Sequence, residues 1–584
     1  MFKVSSYRLA NRLLTLLCYK EALLFRRSLF RIEEAQKRIL FKTLRRNAGT
    51  EFGKKYGFSG IKSIPDFKAQ VPISSYEDYK GFIDKISRGK KNVLTRDRVL
   101  LFEPSSGSVS STKYIPYTTA LKKQFQKAIL PWLYDMVKKN NGIVKGASYW
   151  SLSPSVNVCV NFKYGGMPVG FEQDAEYFGP ALKHILKVLL VVPQEVGLIE
   201  DINAFRYVTL LFLLREKELT FISVWNPTFL TLLLDPLLSF APSLINDIEK
   251  GTLNPPSMLP QNLTQRLLKR VRKDEARAAE LKDIFNITDR FTPVKQDLLK
   301  NIWPNLCFIS CWGDGNAYNH MSNLKEMFPH VVLQPKGLLA TEGVVSFPLT
   351  EEHESILAIN SHFFEFLEMP EINIQGAMKH TLLAHELQLG KSYSVIITTD
   401  GGLYRYRIRD IIEVVGFKQK CPLVRFMGKE DKISDICGEK LNERHVVEAL
   451  NGAFEEYKLN PRFFMIAPLL SKENRYSYAI FLQLSISGCV TFETLHQLRT
   501  LVERRLAENY HYSYCRKLGQ LQELDIFLIT PESNPAQDYL RYCQKLGQKL
   551  GGIKSLTLDS RFDWVNVFQG DLLVNKSLYA SKNV

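Results

Sequence analysis

Between residues 147 and 315, short apolar runs alternate with longer stretches of helical period, and no other pattern in the chain limits the fold as tightly. Residues 147–152, 219–225 and 306–312 are rich in aromatic and β-branched side chains and too short for helices. Residues 178–192 and 228–238 repeat their apolar positions at spacings of three and four. Strands that alternate with helices predict an α/β domain. Residues 5–50 also read as helices, residues 51–104 as mixed with Pro65 and Pro72 as breakers, and residues 261–285 as one basic, polar helical stretch.

After Asp410 the pattern changes. Residues 413–417 read as a short strand, and Cys421-Pro422 with Gly428 reads as the punctuation of a linker. Helices are then predicted over 442–457, 491–506 and 537–550, and strands over 463–467, 477–484 and 525–529. The expected architecture is a large α/β domain over 1–427, with residues 1–35 as a basic helical arm, and a smaller α+β domain over 428–584. A chain of 584 residues is in any case too long for one core.

The formal net charge is +17, and residues 1–60 hold 14 Lys or Arg against 4 Asp or Glu. Two readings follow: a solvated helical face, or an arm in weak contact with an anionic membrane surface. Nucleic acid is not expected, because basic residues interleaved with aromatics are missing elsewhere. The apolar run 13–25 is broken by Lys20 and Glu21 and has no small-residue cleavage site, so neither a membrane span nor a signal peptide is expected. Nine scattered cysteines without a C-x-x-C pair fit reduced thiols in a cytoplasmic protein, and Cys307 and Cys311 fit core packing. Ten histidines show no metal spacing, and His320, His330 and His445 read as packing or surface residues. The absence of G-x-S-x-G disfavours a serine hydrolase.

Three segments carry the chemistry. Ser105-Ser-Gly-Ser-Val-Ser-Ser-Thr-Lys113 is a hydroxyl-rich loop whose backbone N–H groups could approach a phosphate, with a cation at its end. It lacks the Walker spacing. Lys336-Gly-Leu-Leu-Ala-Thr-Glu-Gly343 offers a hydroxyl at Thr341 and a carboxylate at Glu342, and Gly402-Leu-Tyr-Arg-Tyr-Arg-Ile-Arg-Asp410 ends in a second carboxylate.

In that order the segments resemble those of the acyl-adenylate-forming superfamily. The Ile115-Pro116 tail, Asn226-Pro-Thr-Phe-Leu, the bacterial form of residues 336–348 and the segment ending at Asp410 resemble one branch of it. That branch is the plant auxin-responsive (Gretchen Hagen) acyl acid–amido synthetases and their bacterial relatives. The resemblance implies that Ser105, Ser106, Gly107, Ser108 and Lys113 hold ATP phosphates. It implies that Thr341 bonds the α-phosphate or the acyl carboxylate, and that Glu342 binds Mg²⁺. Asp410 would take the ribose hydroxyls, Tyr404 would wall the nucleotide, and Gly313 to Ala317 would lie under adenine. Residues 428–443 resemble the superfamily's hinge, which lets the small domain rotate. Lys440 stands where the branch carries a phosphate-reaching lysine, and Lys554 near the superfamily's C-terminal lysine, although the usual Lys-Pro-Arg is missing. Ser110 and Arg409 stand where relatives commonly carry glycine.

The implied activity is ATP-dependent activation of a carboxylic acid as its adenylate, followed by transfer to the amine of an amino acid. Two alternatives stay open: coenzyme A as acceptor, and a non-catalytic basic protein that binds surfaces through residues 1–60. Trp150, Phe171, Val224, Trp225 and Phe229 are the expected lining of an acyl pocket.

Overall fold

The computed structural model describes residues 2–105, 113–151, 163–169, 180–286, 296–313, 317–369, 380–430, 433–434, 436–437, 439, 441–470, 475–484, 490–517, 519–546, 553 and 556–573. The chain divides into two compact units, one holding Met1–Phe426 and the other Met427–Gln548 and Ile553–Val584.

The alternating region of the first unit forms a four-stranded sheet. Ala147–Trp150, Leu219–Ser223, Phe308–Trp312 and Val332–Lys336 lie side by side in that order, all pairs parallel. Strands of this kind are covered on both faces, so their side chains are apolar without alternation. Leu219–Ser223 is buried throughout. Asn226 caps the following helix, Pro227–Leu234, by accepting from the Thr228 N–H at 3.0 Å. The helix expected over 228–238 is in fact two, because the chain breaks at Asp235-Pro236 and resumes as Leu237–Lys250. The basic stretch 261–285 is likewise two helices, Gln261–Leu268 and Glu275–Asn286.

A seven-stranded sheet runs in the order Ser346–Pro348, Ser355–Leu357, Cys421–Lys429, Tyr406–Lys418, Ser392–Thr398, Phe363–Met369, Leu382–Leu383. Two expectations fail here. The short strand over 413–417 is the end of a 13-residue strand, and the linker at Cys421-Pro422 is the start of another. Pro422 sits at the strand's entry, where sheets tolerate a missing N–H. Cys421 is fully buried. Pro65 does not break structure either. It lies in the first turn of Ile64–Gln70, where its missing N–H costs nothing, behind a Ser63–Asp66 capping box.

The first helices, Phe2–Ser28 and Ile32–Asn47, pack on residues from far along the chain. The Gln36 side-chain amide donates to the carbonyls of Ile359 (2.7 Å) and His362 (2.9 Å) and accepts from the Phe364 N–H (2.8 Å). The Thr43 hydroxyl donates to Asp400 Oδ1.

The second unit pairs Pro461–Leu470, Tyr476–Leu484, Asp525–Ile529 and Gly570–Leu572 in that order, the middle pair parallel and the outer pairs antiparallel. Helices Glu443–Glu456 and Phe492–Leu506 cover it through Leu450, Leu498 and Val502, which share a core with Tyr478 and Ile480.

Candidate functional site

Lys336 is the last residue of the fourth parallel strand, and the chain after it must cross strand Ser346–Pro348 at close quarters. Gly337 permits the crossing: a Cβ there would lie 2.3 Å from the Ser346 carbonyl oxygen. The Leu338 N–H then bonds Ser346 Oγ at 2.9 Å. Leu339–Ala340 pairs with Gly343–Val344, which leaves Thr341 and Glu342 as the two turn residues of a minimal hairpin.

That turn is held from two sides. On one side, the Tyr117 hydroxyl donates to the Thr341 carbonyl at 2.6 Å. Tyr117 belongs to Lys113–Thr118, whose antiparallel partner is Val99–Ser105, with Ser105 opposite Lys113 at the open end. The turn is thereby tied to the hairpin of Val99–Ser105 and Lys113–Thr118, the strands that border the hydroxyl-rich segment in sequence. On the other side stands His362, fully buried. The Val344 N–H donates to its Nε2 at 3.1 Å, and a Cβ on Gly343 would press on the ring at 2.8 Å. Nδ1 therefore carries the proton and donates to Gln124 Oε1 at 3.2 Å. The same oxygen accepts from the Asp400 N–H at 2.8 Å. Burial, with a smaller push from the Lys127 charge, holds the imidazole neutral and lowers its pKa to about 3.

Glu342 is buried and lies close enough to Tyr406 that its charge raises the phenol's pKa further, after burial itself. Tyr406 opens the long strand that carries Asp410. Opposite Ser394–Ile396 this strand bulges: Ile411 pairs with Ser394 and Arg407 with Ile396. Inside the bulge Arg409 has φ +63° and is exposed, while Asp410 turns inward and is 3% exposed. A bulge re-aims side chains in this way. Its left-handed backbone is one that glycine adopts most readily, and an arginine is accommodated there because its side chain is exposed.

Upstream in the same segment, Arg405 also has positive φ (+47°) and is buried. Its guanidinium chelates Glu365 with bonds of 3.0–3.2 Å and donates to the carbonyls of Lys68 (2.8 Å) and Val71 (2.7 Å). Lys336 is held by cation–π packing, with Nζ 5.0 Å from the Trp225 ring and 5.7 Å from that of Trp132, and it donates to Ser223 Oγ at 2.7 Å.

Tyr404 needs correction. It is not a wall for a nucleotide but a core residue. Its ring stacks on Phe52 (4.8 Å) and meets Phe58 edge-on, its hydroxyl donates to the Leu94 carbonyl at 2.7 Å, and its backbone is clasped by the Tyr79 hydroxyl. Gly313 is buried against Pro335, where a Cβ would come within 2.8 Å, and Ala317 begins helix Ala317–Met327. Of the expected acyl lining, Trp150 and Phe229 pack edge-on against Phe221 and Phe205, Val224 is fully buried, and Trp225 faces Lys336. Ser106, Gly107, Ser108, Ser110, Phe171, Lys440 and Lys554 lie outside the described residues.

The sequence reading missed Tyr117, Gln124, His362 and Asp400. A Gln and a His 238 residues apart carry no local signal of their bond. Among the described residues one group has the donors for a metal, Cys437, Glu439 and Cys515 in the second unit. There the Glu439 carboxylate closes a turn, accepting from the N–H groups of Ile436 and Cys437 (both 2.9 Å) and from the Tyr478 hydroxyl.

Residues 24–333 match the GH3 family N-terminal domain and residues 355–429 the GH3 family central domain, leaving Thr341 and Glu342 in the stretch between them. The chain is 25% identical to the indole-3-acetic acid-amido synthetase GH3.4 of Arabidopsis thaliana, over 72% of this chain and 71% of that protein. It is 23% identical to the jasmonoyl-L-amino acid synthetase JAR4 of Nicotiana attenuata, over 72% and 73%. The solved GH3.15 acyl acid amido synthetase superposes with a TM-score of 0.77 at 20% identity, covering 93% of this chain and 94% of that one, so the fold is shared. With the first of the two domain matches alone spanning more than half of its residues, the chain belongs to the GH3 family.

Proposed function

We propose that the protein is an ATP-dependent acyl acid–amido synthetase. A carboxylate oxygen attacks the α-phosphorus of ATP and pyrophosphate leaves. The amine nitrogen of an amino acid then attacks the acyl carbon, the bond to AMP breaks, and the amine gives up a proton. The observation that carries this reading is the convergence of three sequence segments in the first unit. Tyr117, beyond the hydroxyl-rich loop, bonds the Thr341 carbonyl, and Glu342 acts on Tyr406 of the strand that ends the third segment. The names of the relatives, an indole-3-acetic acid-amido synthetase and a jasmonoyl-L-amino acid synthetase, support the joining of an acid to an amino acid. The form of residues 336–348 favours a member of the bacterial type within the family.

In this reading Ser105, Ser106, Gly107, Ser108 and Lys113 bind the phosphates, and Asp410, turned inward by the bulge, takes the ribose hydroxyls. Glu342 offers the hard oxygen donor that Mg²⁺ prefers, and the ion would supply charge neutralisation at the phosphates. Most of the rate enhancement then comes from positioning and from electrostatics in a buried site.

The test is carboxylate-dependent exchange of pyrophosphate into ATP with a panel of aryl and alkyl acids. The wild type should exchange, and Glu342→Gln and Asp410→Asn should each lose about 10²–10³-fold. Tyr117→Phe should keep its fold, lose about 1 kcal/mol of stability in urea unfolding, and lose about tenfold in exchange, because the Thr341 turn is left without that donor. Exchange with no acid, or exchange untouched by both carboxylate variants, rejects the reading. Product analysis with amino acids and with coenzyme A then identifies the acceptor.

A further inference from the structure

The helix Phe2–Ser28 is apolar on two faces. Its inner face is built into the first unit. Tyr7, Leu14, Cys18 and Phe25 are buried, the Tyr7 hydroxyl donates to Glu216 at 2.7 Å, and the Asn11 amide donates to the carbonyls of Ile143, Val144 and Gly146 at 3.0–3.3 Å. Its outer face should then be polar, and it is not. Leu9 (61%), Leu13 (44%), Leu16 (69%), Leu17 and Leu24 are all exposed. At 100° per residue they fall within an arc of about 100° on the side away from the core. Phe30, just past the helix, is 56% exposed.

The charges around this stripe are basic but for Glu21. Lys20 and Arg27 stand within the arc, Arg8, Arg12 and Arg26 flank it, and all five are exposed. Glu21, at the other edge of the arc, is the single acid on the helix. A contiguous leucine stripe left in water is unfavourable and marks a contact surface. A second copy of the same helix would draw the Lys20 and Arg27 charges of both copies into one apolar seam. Nucleic acid would satisfy the cations and leave the leucines wet. A leaflet of anionic lipid satisfies both: the leucines enter the acyl boundary while the Lys and Arg stems let their charges reach the headgroups. Among the described residues no single helix is long and apolar enough to cross a membrane, so the contact is a surface one.

We infer that the outer face of Phe2–Ser28 is a rigid docking surface for anionic lipid headgroups. It is set by its buried inner face to lie flat on a bilayer. This inference is independent of the reaction proposed above.

The test is co-sedimentation of the full chain with vesicles of phosphatidylglycerol and phosphatidylcholine, and with vesicles of phosphatidylcholine alone. Binding is expected to the anionic vesicles, weakening as salt rises. Leu9→Gln/Leu16→Gln should lower it at least tenfold at an unchanged melting temperature, with Leu13→Glu/Leu16→Glu as a second pair. Arg12→Gln and Lys20→Gln should each weaken it about fivefold. Pyrophosphate exchange on soluble acids should not change. Absence of vesicle binding overturns the inference. So does equal binding to neutral vesicles, equal binding by both leucine variants, or a concentration-dependent dimer that those variants abolish.

Discussion

Arg405→Met should lower the unfolding free energy of the first unit by about 3–5 kcal/mol, the range for removing one partner of a buried ion pair. The reason is geometric as well as electrostatic. Glu365, 1% exposed at its side chain, would lose the cation that chelates it, and the carbonyls of Lys68 and Val71 would lose their donors. Arg405 also holds φ +47° in the turn that leads to Tyr406, so its loss loosens the strand that carries Asp410. Urea unfolding followed by a probe in the first unit measures the effect. Replacing both partners, Arg405→Met with Glu365→Met, should cost less than the sum of the single changes, because no buried charge is then stranded. A single change that costs under 1 kcal/mol would refute this account.

His362→Gln should change how stability depends on pH. In the native chain the imidazole stays neutral down to about pH 3, whereas in the unfolded chain it binds a proton below about 6.5. The unfolded state therefore gains protons first as the solution is acidified. The stability that His362 contributes is whole above about pH 6.5, falls by about 1.4 kcal/mol per pH unit below it, and is gone near pH 3. Unfolding curves of wild type and variant between pH 5 and 7.5 isolate this group, since the other nine histidines cancel in the difference. A difference that stays flat across pH 6.5 would show that His362 binds its proton equally in the native and the unfolded chain.

The parts of this molecule that could be read from the sequence are those in which a residue's role is set by its neighbours in the chain. Residues 306–312 are strand-like whatever lies beside them, and the parallel sheet follows from several such runs. Glu342 and Asp410 could be singled out because their segments follow the hydroxyl-rich loop in an order that resembles a known family. What stayed hidden depends on distant partners. Cys421-Pro422 looks like punctuation until its strand is seen paired with Ser355–Leu357. Tyr404 looks like a nucleotide's neighbour until Phe52, Tyr79 and Leu94 close around it. The bulge at Arg409 depends on the register with Ser392–Thr398, and no local pattern announces it. The bond between Gln124 and His362 joins two polar residues that would each pass for surface.

The clasp of Gln36 on residues 359–364 has a consequence for synthesis on the ribosome. Its partners are translated more than 320 residues later, which at about 5–20 residues per second is a delay of tens of seconds. Throughout that interval Ile32–Asn47 lacks the strands it will cover, and the apolar residues that will be buried there remain exposed to chaperones. Helix Ile32–Asn47 is therefore made long before it is secured.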